Sequence, residues 1–243
     1  MPLEQSEGFI LRTYNIGEQD KIVVLFSRDK GLLKGVAKGA RKFGNRFGSS
    51  LEPLSHVRMF YYEKEGKELV TISNSDLLES FFDIQKDLKT SYTLSYFSEL
   101  IDAFFPARSK DDVLFRLLRS SLKALQSGAD VDFSSLYFEA WILKISGILP
   151  DFNHCKKCRK ISKETHWLSH KNDGILCNHC VSGKQIDIPP DFNDFLNWIK
   201  KNPPPKDASV PFSPELLKSF RKILRSIAVF HMERVPKSLR FIE

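Results

Sequence analysis

The sequence predicts an α+β protein: a small N-terminal β-barrel, then an all-helical domain interrupted by a four-cysteine module. Three observations carry this. The first eighty residues break into short β-rich runs separated by glycine-marked bends. From about residue 84 the apolar spacing turns helical. All four cysteines of the chain fall in two CxxC pairs, Cys155/Cys158 and Cys177/Cys180, with eighteen residues between the pairs.

The first strand is expected over 8–14, around Phe9, Ile10 and Leu11, and the second over 21–26, the β-branched run KIVVLF. GLLKGVAKGARK, HVRMFYYEK and ELVTIS follow as the remaining runs. Glycines at 31, 35, 39, 44 and 48 argue against a long helix there and point to bulges or tight corners. Five short strands in this length suit a closed barrel such as the OB-fold, and an SH3-like barrel has much the same signature.

Helices are expected over 84–105, 111–127, 133–146 and 191–200. In the second, Leu114, Leu117, Leu118, Ser121, Leu122 and Leu125 form one face, Asp111 is placed to cap the start and Gly128 to stop the end. The aromatics of 84–105 and 133–146 read as core. A NPPPK run at 202–206 makes a stiff connection. Ser213 followed by Pro214 opens the last helix, whose buried face is Leu216, Leu217, Phe220, Ile223, Leu224 and Ile227. The expected division is 1–80, 81–150, a cysteine module over 151–188, and 189–243.

The cysteine spacing matches a closed tetrahedral zinc site. Two disulfides or four unrelated thiols are the competing accounts. A disulfide inside CxxC is strained, and no N-terminal segment reads as a signal peptide, which weighs against an oxidising compartment. Four thiolates leave no open position for a catalytic water, and no Glu lies in either knuckle, so the site reads as structural. His154 and His179, beside the ligand cysteines, read as bystanders.

The net charge is +7, yet residues 1–80 hold twelve Lys/Arg against eleven Asp/Glu. Seven of those cations lie in 28–46 against one acid, Asp29. Lys34, Lys38, Arg41, Lys42 and Arg46 there alternate with glycines and with Phe43 and Phe47. Cations neutralise phosphates and release counterions, aromatics stack on any base, and glycine admits a strand close to the backbone. The pattern favours sequence-independent nucleic-acid binding; a solvated loop with both phenylalanines tucked into the barrel end is the alternative. Lys218, Arg221, Lys222 and Arg225 form a second stripe on the last helix, either solvated surface or a dock for an acidic peptide or DNA. Lys156, Lys157, Arg159 and Lys160 surround Cys158 and read as solubilising charge. There is no GxxxxGK[ST], GxSxG or HExxH, so a binding protein is favoured over an enzyme. No apolar run approaches the eighteen or so residues of a membrane span, and the cytoplasm is the expected compartment. A zinc-containing interaction scaffold, its basic loop meeting an acidic protein, is the competing class; a DNA-acting nuclease would lack any nameable general base.

Several sequence words point further. Glu7-Gly8, Gly17-Glu18 with Asp20-Lys21-Ile22, the run from Lys30-Gly31 to Arg41, and Phe47-Gly48 with Leu51-Glu52-Pro53 resemble the bacterial RecO family of recombination mediators. Gly147-Ile148-Leu149-Pro150 before the first CxxC and the terminal Lys237-Ser238-Leu239-Arg240-Phe241 continue the likeness over nearly the whole chain. The resemblance implies an N-terminal OB-fold, a helical body and an inserted zinc module. It implies binding to single- and double-stranded DNA, annealing of complementary strands, and help to RecA in displacing single-strand-binding protein (SSB). It further implies RecR and the acidic tail of SSB as partners and the bacterial cytoplasm as the setting, at the nucleoid during repair. Some family members lack the cysteines, so zinc is expected to support local folding only.

Overall fold

The computed structural model describes residues 2–161, 165–204 and 210–242. The stiff connection expected at 202–206 lies in part outside these residues. The chain divides into two compact units, 1–116 with 242, and 117–241 with 243.

The first unit is built on a five-stranded barrel of β1 (Leu3–Ile16), β2 (Asp20–Ser27), β3 (Gly31–Ala37), β4 (His56–Tyr62) and β5 (Leu69–Glu79). The closed order is β1-β2-β3-β5-β4, with β4 returning to β1. Every pair is antiparallel except β3 with β5, which run parallel from Lys34↔Leu69 to Ala37↔Ile72. That order, with its one parallel pair, is the OB arrangement and settles what periodicity left open. Alternation sends Ile10, Val23, Leu25, Leu33, Val57, Met59, Tyr61, Val70 and Ile72 into one buried core. Ala40, Phe47 and Leu51, from the β3–β4 connection, join it. At Gly35 a Cβ would come within 2.8 Å of the Val70 and Ile72 side chains, so only glycine lets β3 lie so close to β5.

β1 begins earlier than the sequence suggested, pairing with β4 from Leu3↔Tyr62 onward. The polar stretch Glu4–Glu7 hid this, because a strand with one wet face needs no apolar run and is held by its ladder. Outside the barrel, Phe9 stacks on His56 at 4.6 Å and meets Phe115 at 5.1 Å, and Phe81 lies at 6.4 Å. The helix α1 (Leu88–Phe104) is capped by Asp87, whose carboxylate accepts from Thr90 N at 2.8 Å. An Arg12–Asp102 ion pair at 2.7 Å ties β1 to α1.

The helix α2 (Asp112–Gln126) begins where Asp111 Oδ1 accepts from Leu114 N at 2.8 Å, and its six expected face residues are all buried. In the second unit α3 (Val131–Ile145) is capped by Asp130, at 2.7 Å from Phe133 N. The cysteine module carries a small sheet of β6 (His166–Leu168), β7 (Ile175–Leu176) and β8 (Asp187–Ile188) in the order β7-β6-β8. Two helices close the unit, α4 (Asp191–Lys201) and α5 (Pro214–Met232). Their core is aromatic: Phe192 meets Phe152 at 4.8 Å and Phe220 at 5.4 Å, while Phe195 lies 5.0 Å from Phe220. Ser213 Oγ accepts from Leu216 N at 3.3 Å, so α5 starts at the Ser-Pro pair. Leu216 and Leu217, expected in its buried face, are only half-buried; the buried set is Phe220, Ile223, Leu224, Ile227, Ala228 and Met232.

Candidate nucleic-acid interface and metal centre

β3 ends at Ala37, so the basic run 38–46 is loop. It is not a loose one. Asp20, at the start of β2, accepts Gly39 N at 2.8 Å, Arg41 N donates to Gln19 O at 2.9 Å, and Arg41 Nη1 donates to Gly17 O at 3.0 Å. Asn45 accepts Phe47 N at 3.0 Å and donates to Lys42 O at 3.1 Å. The β3–β4 connection is thereby fastened to the β1–β2 turn.

Between them lies an open cavity of about 420 Å³, lined by Asp20, Lys38, Lys42, Phe43 and Arg46, with Gln19, Gly39, Gly44 and Asn45 completing the wall. Three of the five cations singled out from the sequence thus converge on one concavity. Arg41 sits beside it with its guanidinium engaged on Gly17. Lys34 does not line it; it points outward from β3, between Val24 and Leu69 of the neighbouring strands. The two aromatics part company. Phe47 is buried in the barrel core with Arg46 over its ring at 4.8 Å, whereas Phe43 is fully exposed.

Of the strand residues near this loop, sequence reasoning named only Lys34. Register supplies one row: Tyr14, Ile22, Val36, Thr71 and Tyr62 are successive neighbours across β1, β2, β3, β5 and β4. All five are exposed or half-buried, so they stand on the outer face. Ile22 and Val36 of that row lie two residues from Asp20 on β2 and from Lys38 on β3, both of which line the cavity. Only the parallel β3–β5 pairing creates it, and no local signal announces that pairing.

In the second unit the four cysteine sulfurs lie within 4.8 Å of one another. Cys158 and Cys177 Sγ are 3.7 Å apart, far from the roughly 2.05 Å of a disulfide. Four sulfurs about 2.3 Å from a tetrahedral zinc would sit about 3.8 Å apart, so the cluster fits such an ion. Cys155 and Cys177 are buried, and Cys158 and Cys180 are more open to solvent. Burial pushes the Cys155 thiol up, but backbone N–H groups of Cys158, Cys177 and Lys157 outweigh it and bring it to about 6. Such N–H donors favour the thiolate, the form a metal takes. His154 is no ligand: its Nδ1 lies 2.7 Å from Asp151 Oδ2. His179 is exposed and stands outside the cluster.

The stripe on α5 is less free than its spacing suggests. Arg221 pairs with Asp132 of α3 at 3.2 Å, Arg225 is half-buried, and Lys218 and Lys222 are exposed.

Comparison with known proteins places the chain. Residues 1–81 match the family model "Recombination protein O N terminal" and residues 85–240 match "Recombination protein O C terminal". The chain belongs to the RecO family. It is 33% identical over 232 residues to the DNA repair protein RecO of Koribacter versatilis, covering 96% of this chain and 95% of that one. The like-named protein of Syntrophotalea carbinolica is 32% identical, at 98% and 93% coverage, and that of Caldicellulosiruptor saccharolyticus 30%, at 77% and 76%. This is a family of DNA repair proteins. No described helix is long and apolar enough to cross a membrane.

Proposed function

We propose that this protein is a non-enzymatic recombination mediator of the bacterial cytoplasm. It binds single- and double-stranded DNA without sequence specificity, anneals complementary strands, and helps load RecA onto SSB-coated single strands. The observation that carries the reading is the convergence of Lys38, Lys42 and Arg46 around one cavity with Phe43 fully exposed at its edge. The cations take phosphates and release counterions; Phe43 and the Tyr14–Tyr62 row give bases a surface indifferent to their identity. Lys34 and Arg41 extend the positive field on either side.

Two complementary strands repel each other, and a cationic surface lowers that repulsion while they find register. Holding the acidic tail of SSB raises this protein's local concentration on coated DNA, and RecR is the expected co-factor protein in the exchange. Lys218 and Lys222 are the α5 cations still available to an acidic peptide or to DNA. Cys155, Cys158, Cys177 and Cys180 hold a structural zinc, which supplies folding energy to the module and no chemistry.

The test is annealing of two complementary oligonucleotides, each pre-coated with cognate SSB and without nucleotide. Faster annealing with the protein is the expected result. No acceleration, by protein that binds free DNA and keeps its metal, with RecR present as well as absent, overturns the mediator reading.

A further inference from the structure

The cysteine module carries cations that the barrel loop leaves without a task. Of the four around Cys158, Lys156 is consumed internally: it pairs with Asp173, which also accepts from Ser169 Oγ at 2.7 Å. Asp151, another acid of the module, is paired with His154. Lys157, Arg159 and Lys160 are exposed and hold no ion pair among the described residues.

Their backbone is fixed from three sides. Cys155 N donates to Lys160 O at 3.0 Å, Arg159 N to Cys155 O at 2.8 Å, and Lys156 N to Ile175 O at 2.7 Å. Arg159 has φ +62°, a left-handed conformation that glycine adopts freely and arginine does not. Glycine would make the same knuckle without strain; arginine keeps a guanidinium there. Three cations with no ion pair among the described residues thus lie within four residues, on a backbone turn braced by ligand cysteines, and carry the charge that phosphates take.

We infer that residues 157–160 of the cysteine module are a second DNA-binding surface, which grips the phosphates of a second strand while the barrel loop holds the first. The inference rests on the strand-binding reading of the barrel. It gives one molecule two separate cationic surfaces, so a single chain brings two strands together.

The experiment immobilises a single-stranded oligonucleotide on beads, saturates it with full-length protein, and offers a labelled non-complementary strand, so that base pairing cannot hold the two together. Wild-type protein retains the labelled strand. The K157Q/R159G/K160Q variant still occupies the beads and retains its metal, but capture falls at least tenfold at low salt. Its capture also loses about two in the slope of log affinity against log salt, as three lost single-strand phosphate contacts require. Arg159→Gly alone suits the turn better than the native residue, so a partial loss of capture with unchanged metal content and Tm separates the guanidinium's role from misfolding. Capture unchanged in both variants overturns the inference and leaves barrel binding intact. Failure of wild-type protein to occupy the beads overturns the strand-binding reading itself.

Discussion

Replacing Lys38, Lys42 and Arg46 together by Gln removes the three cations that line the barrel cavity and leaves its frame standing. Lys38 and Lys42 are exposed and hold no ion pair among the described residues. Arg46 gives up only its position over Phe47, about 0.5–1 kcal/mol at an exposed site. Arg41 is left alone, because its guanidinium on Gly17 O fastens the loop. Each phosphate neutralised on a single strand contributes about 0.7 to the slope of log affinity against log salt, so three contacts contribute about 2. At 0.1 M salt this amounts to about a hundredfold in affinity, or about 3 kcal/mol, and it shrinks toward nothing near 1 M. Fluorescence anisotropy of a labelled oligonucleotide across a salt series reads both numbers. An unchanged slope would refute the assignment, and so would a loss of equal size at every salt concentration.

Three further outcomes follow from the same geometry. Phe43→Ala should weaken single-strand binding by about 1–3 kcal/mol, the worth of a base-stacking contact, with Tm unchanged because the ring touches no core; a Tm loss would place the ring in the barrel instead. Gly31→Ala should cost about 3 kcal/mol or more in denaturant unfolding. Its φ is +66° and a Cβ would stand 2.1 Å from the backbone oxygen of Ser109, where residues 107–109 bridge to β3. On acid titration, metal should leave before the module's carboxylates fail. A hydrogen bond from Lys156 holds the Asp173 carboxyl below its ordinary range, and the Asn153 N–H does the same for Asp151. A depressed folded value means stability present above the unfolded carboxylate pKa of about 3.9 and lost as pH falls through the lower one. Thiolates are protonated higher, so chelator-detectable zinc appears above about pH 4; zinc retained below that point would count against the four-thiolate site.

What the sequence revealed and what it hid divide along a physical line. Local rules placed the helix starts at Asp111 and Ser213, because a capping side chain and its target N–H lie within three residues. The four-cysteine cluster was legible because two CxxC pairs satisfy one tetrahedron wherever the chain leads between them. Strand periodicity left the barrel type open and only the family resemblance named the OB-fold, since the parallel β3–β5 pair that decides the topology joins segments about thirty-five residues apart. The same distance hid the Tyr14–Tyr62 row. Arg221 shows the limit from the other side: helical spacing put it on a solvent stripe, but Asp132 on α3 claims it. Within 38–46 the residue types marked the region, while only the fold distinguished Arg41, a fastener, from Lys38, Lys42 and Arg46, which face the cavity.

The proposed function requires above all that DNA lies on the barrel loop. An oligonucleotide carrying photoreactive 5-iodouridine, bound at substoichiometric concentration and irradiated, tests it most directly by mass spectrometry of the crosslinked peptides. Adducts are expected within residues 38–47, with Phe43 the leading acceptor, and on Tyr14 of β1 or Tyr62 of β4. Adducts confined to residues 117–241 would contradict it.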